Sequence, residues 1–174
     1  MKNITHRTTA FFLFVVGCAI QSCNQKDETP LLELLPSQYT GIDFTNQLYE
    51  DENLNIITFE YFYNGAGVGV GDVNNDGLQD IFFSGNMVSN RLYVNKGEMR
   101  FEDITKSSGL TTLGKWATGV AVVDINQDGR LDLYVCYAGP FADPQQRTNE
   151  LYINNGDNTF TEKAKEYESN PSCI

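Results

Sequence analysis

At 174 residues, with 41% hydrophobic content and 11 Phe and 9 Tyr, the chain has the means for one domain of ordinary size with an aromatic-rich core. A formal net charge of −11 opposes binding to nucleic acid and to anionic membrane surfaces and favours cations. The single histidine, His6, falls in a segment expected to be removed, which excludes Ser-His-Asp and Cys-His catalysis and imidazole-held zinc from the remainder.

The first 22 residues carry Lys2 and Arg7 but no acid, and Thr8 to Ile20 is an uncharged run of 13 residues. A bilayer of ~30 Å needs about 20 helical residues, so the run is too short to span one and reads as the hydrophobic region of a secretory signal. Ile20-Gln21-Ser22-Cys23 resembles the lipobox of bacterial lipoproteins. That resemblance implies a signal peptide over 1–22, acylation of Cys23 and a polar tether over 23–35. Cys18 is a rival acceptor, but its use would leave apolar Ala19 and Ile20 beyond the cut. Lys26-Asp27-Glu28 resembles the surface-export signal of Bacteroidota lipoproteins, which implies an exported protein anchored by lipid at the outer membrane and facing the cell surface. The four cysteines show no CxxC spacing, so Cys136 and Cys173 read as unrelated thiols.

Between the tether and the first repeat, Glu50-Asp51-Glu52 reads as a solvated loop and Tyr61-Phe62-Tyr63 as a core strand. Trp116, ahead of the second repeat, is expected in the core.

Residues 67–83, GVGVGDVNNDGLQDIFF, recur as GVAVVDINQDGRLDLYV at 119–135, an offset of 52 residues from Asp72 to Asp124. Downstream, 89–97 (SNRLYVNKG) recurs as 148–156 (TNELYINNG) at an offset of 59 from Leu92 to Leu151. The extra residues fall where Gly139 to Pro144 read as a longer loop. Each copy reads as short strands rich in β-branched and aromatic residues, with Lys96-Gly97 and Asn155-Gly156 as hairpin turn dipeptides and Phe101 and Phe160 closing the unit. Four strands in ~50 residues is the size of one propeller blade. The boundaries expected are a repeat region over 36–174, with blade one about 60–106 and blade two about 107–165.

Each copy contains D-x-N-x-D-G-x-x-D. Asp72, Asn74, Asp76 and Asp80 stand at positions 1, 3, 5 and 9 of the first loop, and Asp124, Asn126, Asp128 and Asp132 at those of the second. Calcium takes six to eight hard oxygen ligands at ~2.3–2.6 Å, and alternate residues of a tight loop can turn toward one centre. The backbone carbonyls of Leu78 and Arg130 supply position 7 whatever the side chain. An EF-hand requires a bidentate Glu at position 12, where this chain has Phe83 and Val135, and strand-like runs replace the flanking helices. Two calcium sites, one per loop, are therefore expected.

On these loops and their flanking strands, the chain resembles the FG-GAP repeats of integrin α-subunits and the VCBS repeats of secreted bacterial proteins. The stretch from Gly41-Ile42-Asp43-Phe44 onward resembles the N-terminal part of Bacteroidota lipoproteins that add an ASPIC/UnbV-type module. The resemblance covers about residues 36–168. It implies an all-β fold, a partial β-propeller of about two to two and a half four-stranded blades with calcium loops on one face, the remaining blades being absent as in a truncated product. The expected function is binding without catalysis: a calcium-binding, surface-exposed lipoprotein module for adhesion to a protein or glycan ligand. The alternative is a carbohydrate-acting or carbohydrate-binding component of a surface degradation system, with acids from Glu50 to Glu60 and the aromatic trio against sugar.

Overall fold

The computed structural model describes residues 31–110, 112 and 114–168. The signal-like run, Cys18, Cys23 and Cys173 lie outside them, and among the described residues no helix is long and apolar enough to cross a membrane. The architecture lies within one unit, Leu35–Ile174. Of the other unit, Met1–Leu34, residues 31–34 form no strand or helix and expose Leu31, Leu32 and Leu34.

The fold is all-β apart from single helical turns. Among the described residues there are two four-stranded antiparallel sheets, each a meander in which chain neighbours pair. Sheet one comprises β1 (Val68–Gly71), β2 (Asp80–Phe83), β3 (Arg91–Asn95) and β4 (Phe101–Asp103). Sheet two comprises β5 (Trp116–Val123), β6 (Asp132–Ala138), β7 (Glu150–Asn154) and β8 (Phe160–Glu162). The seven-residue difference in offset is taken up between β6 and β7, where Pro144–Arg147 forms a 3-10 turn started by Asp143, whose side chain accepts from Gln145 N.

The β3–β4 connection is longer than a two-residue hairpin. Lys96 N donates to Arg100 O at 2.7 Å, and Glu98 and Met99 both take positive φ before β4 begins. The β7–β8 connection closes in the same way, with Asn155 N donating to Thr159 O at 3.0 Å. The aromatic trio also departs from expectation. Residues 60–63 form turns rather than a strand; only Phe62 is buried, packed on Trp116 at 5.5 Å, while Tyr61 and Tyr63 face solvent. A strand would place Tyr61 and Tyr63 on one face and Phe62 on the other, and turning the chain achieves that separation without pairing. Trp116 is 1% exposed, as expected of a core residue.

The core lies between the sheets. Phe82 and Leu92 of sheet one meet Leu133, Val135, Tyr137 and Tyr152 of sheet two, all of them buried. This packing depends on an unusual alternation in β1, where Gly69 and Gly71 are buried and Val68 and Val70 exposed. Val120 and Val122 of β5 occupy the space above the glycines, and a Cβ added at Gly69 would lie 2.6 Å from Val122 Cγ2. At Gly67 the backbones themselves approach, since an added Cβ would lie 2.7 Å from Val120 N. Buried asparagines link the sheets through two backbone carbonyls and a tyrosine hydroxyl. Asn86 Nδ2 donates to Ala117 O at 2.7 Å, Asn90 Nδ2 to Tyr137 Oη at 2.9 Å, and Asn154 Nδ2 to Val73 O at 2.7 Å.

The segment ahead of the repeats is strapped to the outer face of sheet one. Phe44 stacks on Phe83 at 4.9 Å, Tyr93 Oη donates to Asp43 Oδ1 at 2.7 Å, and Asn46 exchanges hydrogen bonds with Asn86.

Candidate metal-binding loops

The candidate loops are the connections β1–β2 and β5–β6, side by side: Asn75 Nδ2 of the first donates to Gly129 O of the second at 3.1 Å. Their backbones repeat. Asn75 and Gln127 take φ of 58° and 60°, and Gly77 and Gly129 take 87° and 82°, a left-handed bend that glycine permits at position 6.

Side chains at positions 1, 3 and 5 turn into the bend in both copies. In the first, Asp72 Oδ1 and Asn74 Oδ1 both accept from Asp76 N at 3.0 Å, Asp72 Oδ2 accepts from Gly77 N at 2.8 Å, and Asp76 Oδ1 accepts from Leu78 N at 2.8 Å. The second copy reproduces this, with Asp124 Oδ1 and Asn126 Oδ1 on Asp128 N, Asp124 Oδ2 on Gly129 N, and Asp128 Oδ1 on Arg130 N, at 2.9 to 3.1 Å. In each, the position-3 amide donates to the position-5 carboxylate at 3.0 Å.

Position 9 has a different environment. Asp80 is 1% exposed and Asp132 0%. Asp80 bridges Val73 N at 2.9 Å and Asn95 N at 2.8 Å; Asp132 bridges Ile125 N at 3.1 Å and Asn154 N at 2.8 Å. These carboxylates tie the loop to the third strand of the sheet. Burial pushes both carboxyls up against the pull of these N–H donors, and the position-5 and position-1 carboxylates of the same loop push them further.

The loops differ at position 7. Leu78 has no charge, whereas Arg130 Nη2 lies 2.6 Å from Asp128 Oδ2, and its Nε donates to Asn154 O at 3.3 Å. Burial acts to raise the Asp128 carboxyl, but the Arg130 N–H, the Asn126 amide and the guanidinium outweigh it and hold the group below the usual carboxylate range. Sequence reasoning assigned Arg130 a backbone carbonyl only. Its ion pair had a signal, an arginine two residues after an acid in a loop, but the choice of partner depends on the bend.

The donor set of each loop is entirely hard oxygen, and carboxylates that accept one N–H bond keep further lone pairs. In chemistry the set fits a calcium-like ion. In arrangement, among the described residues no three His, Cys, Asp or Glu side chains stand together as a ready metal cage. The carboxylates are instead directed by the backbone N–H groups of their own bends.

Among the residues of the alternative reading, Tyr61 hydrogen-bonds Glu60 and Tyr63 hydrogen-bonds Glu50, all of them at the surface. Glu50, Asp51 and Glu52 are exposed, and Asp51 Oδ1 accepts from Asn53 N and Leu54 N at 2.7 and 2.8 Å in a local turn. A cavity of about 270 Å³ lies by Phe59, Tyr61, Trp116 and Thr118, with Asn64 as its side-chain amide and no carboxylate among the described residues of its wall.

Residues 72–135, which span both loops, match the family of the FG-GAP-like repeat. Over 77 residues the chain is 38% identical to cartilage acidic protein 1 of Xenopus tropicalis and 35% identical to that of Homo sapiens, covering 44% of this chain. Over 106 residues it is 33% identical to integrin alpha-8 of Mus musculus, covering 53% of this chain. The matched stretch spans 12% of the cartilage acidic proteins and 10% of the integrin.

Proposed function

We propose that this chain, which carries an FG-GAP-like repeat over residues 72–135, is a calcium-stabilised binding module whose two sheets are consecutive propeller blades. The supporting observation is the duplication of the loop. Asp72, Asn74 and Asp76 repeat the bonds that Asp124, Asn126 and Asp128 make within their own bend, the Arg130 contact to Asp128 being an addition in the second copy. Asp72, Asn74, Asp76, Asp80 and the Leu78 carbonyl would hold one ion, and Asp124, Asn126, Asp128, Asp132 and the Arg130 carbonyl the other. A bound cation supplies charge neutralisation and rigidity; the chain's own residues orient the loop between paired strands.

The module's work is adhesion or ligand binding at the cell exterior, in keeping with its likeness to an integrin alpha chain. Export and lipid anchoring at the outer membrane through Cys23 belong to the same reading. Replacement of Cys23 by Ser should abolish incorporation of labelled fatty acid; persistence of label would move the anchor to Cys18. A glycan-directed role has one observation in its favour, the aromatic-walled cavity at Trp116, and the absence of an acid from that wall fits binding there better than hydrolysis.

The test is thermal unfolding with calcium and with EDTA. With dissociation constants of ~10⁻⁴–10⁻³ M, as in extracellular modules, tenfold excess calcium stabilises by about 1.4 kcal/mol per site, a few degrees of Tm each. Asp76→Ala together with Asp128→Ala should remove the response. An unchanged Tm on chelation would overturn the calcium reading.

A further inference from the structure

The contact that joins the two sheets recurs in halves on their two outer faces, unmatched among the described residues. Inside, Val120 and Val122 of β5 rest on the glycine face of β1. A Cβ at Gly67 would meet Val120 N at 2.7 Å, and Cβ atoms at Gly69 and Gly71 would meet Val122 at 2.6 and 2.8 Å. The repeat places Val68 and Val70 at the positions of Val120 and Val122, and these two valines are 59% and 56% exposed. It also places Gly119 and Ala121 at the positions of Gly67 and Gly69. A Cβ at Gly119 would meet nothing within 4 Å, and Ala121 is exposed. One outer face therefore carries the valine half of the seam and the opposite face the small-residue half.

We propose that Val68 and Val70 on β1 of one copy dock onto Gly119 and Ala121 on β5 of a second copy, head to tail. The occupant is a second copy because this chain carries both halves of a contact it already makes within itself, in the same strand register. Phe44 and Asp43 already cover the parts of that face over Phe83 and Tyr93, so the docking strip runs along β1. Val123 stands where β1 has Gly71 and is 40% exposed, which holds the outer seam wider at its loop end. The contact is accordingly weaker than the tethered one and depends on concentration. Because it joins unlike faces, each added copy presents a free face, and rings or open chains follow. The contact involves no metal ligand, so its failure and that of the calcium reading are separable.

The experiment is sedimentation of the full chain over a concentration series, with circular dichroism to show that each variant folds. Wild type should pass from monomer to dimers and larger species. Val68→Lys with Val70→Lys should be monomeric, as should Ala121→Lys, with Gly119→Val in its place if that variant does not fold. Mixed, the two blocked variants should form a dimer and nothing larger, since each retains the half that the other lacks. A wild type monomeric throughout, a blocked variant that associates like wild type, or a mixture that stays monomeric overturns the proposal. Association driven by residues 1–22 would survive every substitution and counts against it.

Discussion

Gly67 and Gly119 occupy the same place in the repeat, and neither has a positive φ, so alanine is conformationally acceptable at both. The surroundings of a new methyl group differ completely. At Gly67 it would lie 2.7 Å from Val120 N and 2.9 Å from both Gly119 C and Gly119 Cα, all backbone; at Gly119 it would meet nothing within 4 Å. Backbone atoms cannot rotate aside as a side chain can, so Gly67→Ala must push sheet two back by roughly 1 Å to reach normal contact, loosening dispersion contacts along the seam. Overpacking of this kind costs about 1–3 kcal/mol. Gly119→Ala carries no such cost and reduces the freedom of the unfolded chain, which stabilises by about 0.4–1 kcal/mol. The two alanines should therefore differ by about 2–3 kcal/mol. Urea denaturation, at concentrations where the chain is monomeric, reads this as a shift in midpoint with unchanged slope. If the two variants fall within about 0.5 kcal/mol of each other, the close approach of β1 to β5 is wrong.

Asn154→Ala should cost about 2–3 kcal/mol in the same assay, because the amide leaves Val73 O and Leu131 O without their donor inside the protein. Its repeat partner Asn95 donates only to the exposed Gln79 O, so Asn95→Ala should cost less than about 1 kcal/mol; equal losses would contradict the difference in burial. Burial, reinforced by Asp43, pushes Tyr93 from 10.0 up to about 12, and burial raises Tyr137 and Tyr152 as well. The folded state thus holds protons that the unfolded state releases, so this stability is complete below pH 10 and is lost as pH climbs from 10 toward 12. Tyrosinate absorbance should rise together with unfolding; buried tyrosines that ionise early in a folded protein would refute the packing. Arg130→Leu, which copies Leu78, should tighten calcium binding at the second loop roughly two- to fivefold by calorimetry, the scale of one partly exposed ion pair. A weaker site would show that the guanidinium supports the loop instead of competing for Asp128.

The sequence is informative here because it states its pattern twice. The offset of 52 residues aligns loop with loop, and the β-branched and aromatic runs on either side locate β1, β2, β5 and β6. What it leaves open are properties of the neighbour rather than of the segment. The alternation in β1 shows that valines and glycines face opposite ways, but which set is buried depends on the sheet that packs there, and β5 brings its own valines. Residues 60–63 carry strand-forming aromatics, yet Phe62 is drawn onto Trp116 and the segment turns. Asp80 and Asp132 look like ordinary loop ligands on spacing, while their bonds to Asn95 N and Asn154 N come from a strand that spacing does not place.

That double role of position 9 changes where the case for a cation rests. A buried aspartate bridging two N–H groups is explained by the fold alone, so Asp80 and Asp132 speak equally for a metal-free turn. Positions 1 and 5 do not. Asp76 and Asp128 each accept the N–H two residues ahead, which the side-chain oxygen of Asn or Ser would accept as well. A carboxylate there adds negative charge to a bend that already holds Asp72 or Asp124, and both acids act to raise the buried carboxyl of position 9. In the second loop Arg130 partly offsets that charge; in the first, Leu78 offsets nothing. A carboxylate in a place where an amide would satisfy the same bond is a feature that the proposed cation would account for. The first loop, with three carboxylates and no arginine, should then depend on calcium more than the second.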